Sequence, residues 1–334
     1  MERGHGRGVM KRKLVAVRGF LHDVRAVKHA LFILGLVGCS VDAPPAPTPP
    51  AVTPFDSQGH RGARGLHPEN TAEGMAEALA IGVATLEMDV GVTSDGVVVL
   101  HHDERLNPDI ARDESGEWVS EPTPAIHALS LSELAVYDVG RIRPGSAYAE
   151  RFPEQQGLDG VRIPTLAAVI ELAEARSGGA IRYNIETKLS ESAPDQTPPP
   201  EEFAEAVLAV VQQAGVTERV VIQSFDWRTL RHLASIAPDV QTSCLTFGSG
   251  DLDEMAEAGC SIWSPRFQSL DEMEVEAAHG AGMTVAVWTV NEPQEIEAAL
   301  SLGVDAIISD YPDRVRTALE ASSLSLPPAF PPAM

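Results

Sequence analysis

From Phe55 onward, short runs rich in β-branched residues alternate with longer amphipathic runs. This alternation restricts the chain to a parallel sheet wrapped by helices. The first candidate strand ends at residues 58–60, and others span 85–90, 97–102, 181–188, 220–225, 241–247, 261–265, 284–290 and 306–310. Between them Leu166, Val169, Ile170 and Ala173 recur at helical spacing, as do Phe203, Val207, Val210, Val211 and Ala214, and Ile296, Ala299 and Leu300. Nine strands exceed the eight places of a barrel. Asp95-Gly96, set between two alternating runs, turns residues 90–102 into a β-hairpin and removes the excess. The predicted class is α/β, a (β/α)8 TIM-type barrel.

The placement of polar residues supports the barrel, in which chemistry sits at the carboxyl ends of the strands. His60-Arg61, Glu87, Asp89, His102-Asp103, Glu186, Lys188, Ser224, Trp288 and Asp310 all fall at or near such ends. A doubly wound sheet also alternates, but no GxGxxG follows any strand. The barrel is expected over residues 55–321. Residues 103–163 break the rhythm with polar, Pro-rich sequence and read as a loop-rich insertion at the mouth that shapes substrate choice. Residues 322–334, with four prolines and no charge, are expected to be a disordered tail.

Charge and cysteine content narrow the partners. With 25 Lys and Arg against 48 Asp and Glu the formal charge is −23, which repels a polyanion and excludes nucleic acid as an expected partner. Cys39, Cys244 and Cys260 cannot staple a chain of 334 residues, and none has metal or redox spacing. Cys244 and Cys260 either pair or stay buried as free thiols, because parallel strands rarely bring two such side chains to bonding distance.

Residues 1–29 carry eight basic and two acidic side chains, and the run 30–37 that follows is apolar, a signal-peptide layout. Eight apolar residues span only ~12 Å as a helix, short of the ~20 residues of a bilayer crossing. The run ends Leu36-Val37-Gly38-Cys39, which resembles the bacterial lipobox, where cleavage exposes a cysteine for lipid modification. Residues 1–38 are thus expected to be a lipoprotein signal peptide. Residues 39–54 are read as a lipidated Cys39 followed by a stiff tether, with six prolines between residues 44 and 54. Met10, followed by Lys-Arg-Lys, is a second candidate initiator beside Met1. The expectation is an exported protein held to the membrane by its lipid anchor alone. Ser40 after the cysteine, by resemblance to Gram-negative lipoproteins, favours the outer membrane facing the periplasm.

Glu87 and Asp89 stand two apart in the apolar run 84–90, so both carboxylates project from one face of a strand. Glu186 occupies a similar position in the run 183–188. Like charges brought together need a cation, and three carboxylates with no nearby cysteine suit a hard ion, Ca²⁺ or Mg²⁺, better than zinc. With one divalent cation, Arg61 and Lys188, the local charges cancel against a singly charged phosphodiester. His60 and His102 can then supply the base and the acid that displacement of an alcohol from phosphorus requires. His67, His101, His127, His232 and His279 read as structural.

The ordered motifs Gly59-His60-Arg61-Gly62, Pro68-Glu69-Asn70-Thr71, Leu86-Glu87-Met88-Asp89-Val90, Thr93-Ser94-Asp95-Gly96, His102-Asp103, Ile185-Glu186-Thr187-Lys188 and Trp288-Thr289-Val290-Asn291 carry a family resemblance. The chain resembles the glycerophosphodiester phosphodiesterases over residues 56–314. The resemblance implies hydrolysis of small glycerophosphodiesters to glycerol 3-phosphate and an alcohol. It implies His60 and His102 as the acid/base pair, Glu87, Asp89 and Glu186 as ligands of one divalent cation, and Arg61 and Lys188 on the phosphate, with Trp288 at the substrate. Asp138-Val139-Gly140-Arg141, Tyr148 and Phe152-Pro153 look like the longer insertion of bacterial secreted members. Met75 stands where the family commonly has Phe, which touches packing only.

The alternatives are related barrel phospholipases, of sphingomyelinase D or phosphatidylinositol-specific phospholipase C type, and a lipid-anchored binding protein without catalysis. A lipase-like member should show an exposed apolar rim. The acidic surface and the absence of a Lys/Arg or aromatic cluster in the insertion favour a small soluble diester.

Overall fold

The computed structural model describes residues 54–332. The expected signal peptide, Cys39 and nearly all of the tether lie outside the described residues. Among the described residues nine strands are present: β1 Asp56–Gly59, β2 Thr85–Val92, β3 Val98–Leu100, β4 Arg182–Thr187, β5 Val220–Ser224, β6 Gln241–Thr246, β7 Ile262–Pro265, β8 Thr284–Val287 and β9 Ala306–Ser309. All but β3 pair in parallel, and β1 bonds both β2 and β9, which closes an eight-stranded barrel. β3 pairs antiparallel with β2 in the register Val90 to Leu100, so the hairpin predicted at Asp95-Gly96 is present.

Helices between the strands bury the faces that periodicity marks. In Leu166–Ser177 the side chains of Leu166, Val169, Ile170 and Ala173 are buried, with Thr165 accepting from the Ala168 N–H as N-cap and left-handed Gly178 as C-cap. In Pro200–Ala214 the buried set is Phe203, Ala204, Val207, Leu208 and Val211, while Ala214 is exposed on the last turn. Each large apolar side chain fully buried here contributes roughly 1.5–3 kcal/mol.

The insertion at residues 103–163 builds a small core of its own. Leu106, Ala111, Ile126, Leu134, Val139, Val161 and Ile163 gather around Val99 of the hairpin. Arg112 bonds Asp138 and Asp159, and Arg141 bonds Asp159, tying its turns together. Its short helix Ala147–Arg151 brings Tyr148 and Arg151 to the barrel mouth.

One expectation is corrected and one open alternative is settled. Residues 322–332 are not a disordered tail: Leu326 and Phe330 pack against the main core, and backbone bonds run from the Phe55 N–H to Ser325 O and from the Phe330 N–H to Leu79 O. Four prolines and no charge do not prevent two apolar side chains from docking. Cys244 and Cys260 are disulfide-bonded with Cα atoms 5.8 Å apart, so they are not free thiols. Cys260 lies in the turn ahead of β7, after left-handed Gly259, and strand register does not dictate where it points.

Candidate active site

The turn after β1 forms one wall. A Cβ on Gly59 would stand 2.2 Å from the Gly62 carbonyl oxygen, and Gly62 itself has φ 86°, so this bend needs both glycines. The bend sets Arg61 at φ 52° and aims its N–H at Glu87 Oε2, 2.8 Å away. The Arg61 side chain bonds Glu69 Oε1 at 2.8 Å and stands 3.1 Å from Asp89 Oδ2. The next residues divide three tasks: Glu69 holds Arg61, Asn70 holds Asp89, and Thr71 caps the helix Ala72–Ile81 through the Gly74 N–H.

Strand β2 turns Glu87 and Asp89 to the same side, and the register pairing Asp89 with Glu186 sets the third carboxylate beside them. One oxygen from each of Glu87, Asp89 and Glu186 lies within 4.8 Å of the others, and all three residues are buried. Burial first, then the charges of Asp89 and Glu186, raise the Glu87 carboxyl well above its usual range. Burial likewise pushes Glu186 up to about 7, against the pull of Lys188 at 2.7 Å. Burial opposes ionisation of Asp89 too, but Lys188 and Arg61 overcome it and hold that carboxyl well below normal. Asp89 Oδ1 is buried and accepts no hydrogen bond, although Lys188 Nζ stands 3.3 Å away. A crowded trio of carboxylates with one unsatisfied ionised oxygen fits a hard divalent cation.

Both predicted histidines reach this cluster. His60 Nδ1 lies 2.7 Å from Asp310 Oδ1, and a carboxylate there can only accept, so the ring proton sits on Nδ1 and Nε2 is left bare. Nε2 stands 3.9 Å from Glu87 Oε2. His102 Nδ1 lies 2.6 Å from Asp103 Oδ1 in the same arrangement. Burial, with Arg64 second, lowers His60 to about 4; burial, with Arg61 second, lowers His102. Both rings are therefore neutral near pH 7, each with one nitrogen free to take a proton.

Several residues of the site carry no assigned role in the sequence reading. Arg64 grips Asp310 through Nε at 2.7 Å and Nη2 at 3.1 Å, and Asn291 Nδ2 donates to Asp310 Oδ2 at 2.8 Å. Asp310 is thus locked as the orienting group of His60. Gln223 donates to Glu87 Oε1 at 2.8 Å, and Asn184 in turn donates to Gln223 Oε1 at 3.1 Å. Position at a strand end was the available signal for Asp310; Gln223 looks like any polar residue of a strand.

The mouth has two unlike sides. Phe225, Phe247 and Trp288 pack ring on ring, with centroids 4.6 to 5.5 Å apart, and Phe247 is 69% exposed. On the other side Tyr148 bonds Glu69, its ring lies 5.1 Å from that of Phe152, and Arg151 lies over both. The insertion therefore does contain an Arg and aromatic cluster, contrary to expectation. Tyr148 and Phe152 are four apart with Arg151 between, a spacing that becomes a cluster only once helical.

Residues 60–314 match the model of the glycerophosphoryl diester phosphodiesterase family. A Bacillus subtilis glycerophosphodiester phosphodiesterase is 28% identical over 267 residues, covering 76% of this chain and 83% of its own. A crystal structure from Silicibacter pomeroyi, of a protein assigned to the glycerophosphoryl diester phosphodiesterases, is 35% identical and superposes with a TM-score of 0.76, covering 83% of this chain and 96% of that one. An Oleispira antarctica phosphodiesterase, solved in complex with the product sn-glycerol-3-phosphate, shares the fold at a TM-score of 0.65 and 23% identity, covering 80% of this chain and 97% of its own. With the matched segment enclosing both histidines and all three carboxylates, the chain belongs to the glycerophosphoryl diester phosphodiesterase family.

Proposed function

We propose that this protein hydrolyses glycerophosphodiesters to sn-glycerol 3-phosphate and an alcohol. The observation that carries the reading is the buried trio Glu87, Asp89 and Glu186 facing two carboxylate-oriented histidines at a barrel mouth. The names of the Bacillus and Oleispira relatives support the same substrate class. Glu87, Asp89 and Glu186 would hold one divalent cation, Ca²⁺ or Mg²⁺, which when bound polarises a phosphoryl oxygen.

Arg61 and Lys188 neutralise charge that grows on phosphorus in the transition state, from side chains already fixed by Glu69 and Glu186. The attacking oxygen gives its proton to one histidine Nε2 as the new P–O bond forms. The other histidine takes up a proton from solvent as the phosphodiester anion enters beside it, and gives that proton to the departing alkoxide as the old P–O bond breaks. Water is consumed and no proton is lost overall. Asp310 and Asp103 hold the two rings in the tautomer that leaves Nε2 toward the substrate. Trp288 forms part of the apolar wall against the substrate.

Export and lipidation at Cys39, to an outer membrane facing the periplasm, belong to the same reading. The Cys244–Cys260 disulfide supports an oxidising compartment. The test is release of sn-glycerol 3-phosphate from glycerophosphoglycerol by purified protein, with added Ca²⁺ or Mg²⁺ and with excess chelator. Release with cation and none with chelator is expected; full activity in chelator would refute the metal requirement.

A further inference from the structure

Four cations line the cavity of about 320 Å³ at the barrel mouth: Arg61, Arg64, Lys188 and Arg151. Three are spent within the protein. Arg61 is held by Glu69 and Asp89, Lys188 by Glu186 and Asp89, and Arg64 by both oxygens of Asp310. Among the described residues, the Arg151 guanidinium makes no ion pair and no hydrogen bond. In a chain with 48 acidic against 25 basic side chains, an uncommitted arginine at the edge of a reaction cavity runs against the composition.

Arg151 is also held in place. Its Cζ lies 5.6 Å from the Tyr148 ring centroid and 5.4 Å from that of Phe152. Phe152 is only 4% exposed and Tyr148 is fastened to Glu69, so the aromatic platform beneath the exposed guanidinium is rigid. A guanidinium near aromatic rings keeps its N–H donors free for an anion. A cationic headgroup finds no comparable partner. The cavity's carboxylates are engaged: Asp103 by His102, Glu186 by Lys188, and Glu87 by Gln223 and the Arg61 N–H. Phe225, Phe247 and Trp288 pack against one another on the other side of the mouth, where Phe247 stays 69% exposed, and offer a cation only uncharged ring faces.

We infer that Arg151 is a specificity-determining residue that reads negative charge on the alcohol half of the diester. The preferred substrates are then diesters whose leaving alcohol carries a second anionic group, such as another phosphodiester, ahead of neutral headgroups and well ahead of choline. This inference rests on the phosphodiesterase reading above and adds the substrate class to it.

The experiment compares kcat/KM for bis(glycerophosphoryl)glycerol, glycerophosphoglycerol and glycerophosphocholine, whose leaving alcohols are anionic, neutral and cationic. Wild-type protein, Arg151→Gln and Arg151→Glu are assayed with saturating divalent cation at low and high salt. The wild type should rank anionic above neutral above cationic. Arg151→Gln should lose about tenfold more on the anionic substrate than on the neutral one, as expected for one partly exposed charge contact, and salt should shrink the gap. Arg151→Glu should place the choline diester ahead of the anionic one. Equal losses on all three substrates, or a wild-type preference for choline, would overturn the assignment and point instead to the aromatic wall as a cation site. Hydrolysis of none of the three would overturn the phosphodiesterase reading itself, and this inference with it.

Discussion

Asn70 and Asp89 are joined by two hydrogen bonds: Asn70 Nδ2 donates to Asp89 Oδ2 at 2.8 Å, and the Asp89 N–H donates to Asn70 Oδ1 at 3.1 Å. The clasp fixes the central carboxylate of the cluster from a residue nineteen positions away, and Asn70 makes it from a left-handed backbone, φ 52°. Asparagine tolerates that conformation better than most side chains. Asn70→Ala should weaken divalent-ion binding by about 10- to 100-fold, as loss of a partner outside the ligand set commonly does. It should also cost about 1–3 kcal/mol of stability, because the buried Asp89 N–H loses its acceptor while Asp89 Oδ2 keeps only Arg61 beside it. Calorimetric titration of Ca²⁺ with parallel thermal melts measures both, and wild-type affinity in a folded variant would refute the clasp as a support of the site.

In the proposed site, protons and metal would compete for the same carboxylates. Glu87 is raised well above its usual range and Glu186 to about 7, in both cases chiefly by burial. Cation affinity should therefore rise with pH across the neutral range, with protons released on binding. Without metal the sign for stability is opposite. The fold retains protons that the unfolded chain gives up near pH ~4.3, so metal-free stability falls as pH climbs from there through about 7. Titrations in buffers of different ionisation enthalpy count the protons, and a pH-independent affinity would contradict the assignment.

The two histidines are separable by leaving group. Loss of the leaving-group acid should be severe for a choline diester and mild for a nitrophenyl diester, whose alcohol departs unaided. Loss of the base should be severe for both. Each role is typically worth ~10² to 10⁴ in rate. His60→Ala and His102→Ala assayed on both substrates give the assignment. Equal losses throughout would remove one histidine from leaving-group protonation and require a different acid.

The Cys244–Cys260 bond spans a sequence separation of 16. Closing a loop of this length stabilises a chain by about 3 kcal/mol in the chain-entropy account. Cys244→Ser paired with Cys260→Ser should lower the denaturation midpoint accordingly, and reductant should then have no further effect. Unchanged stability in the double variant would mean that the link adds nothing to the fold.

Cys39→Ser should abolish lipid labelling and leave the precursor uncleaved. Unaltered membrane partitioning and processing in that variant would sink lipidation at this position.

What the sequence disclosed follows from periodicity. Glu87 and Asp89 stood out because a two-residue repeat in an apolar strand admits one face only, and the hairpin because Asp95-Gly96 is a local signal. Partners supplied from distant segments left no such mark. Arg64 reaches Asp310 across 246 positions, and Gln223 reaches Glu87 across 136. No local pattern encodes either pairing, which depends on the barrel having closed. The docked residues 322–332 were misread for a related reason: proline content describes how a segment behaves alone, whereas Leu326 and Phe330 respond to the core they meet.

Closure also dictates when activity can begin. His60 follows the first strand and Asp310 the last, 250 positions apart, and the backbone stitches the same seam through the His60 N–H to Ser309 O. A chain emerging from its amino terminus holds the histidine long before the aspartate that orients it. Until the final strand arrives His60 lacks the carboxylate that orients its ring, so under the proposed role of His60 a half-delivered or carboxyl-truncated chain is expected to be inert toward phosphodiesters wherever it happens to be.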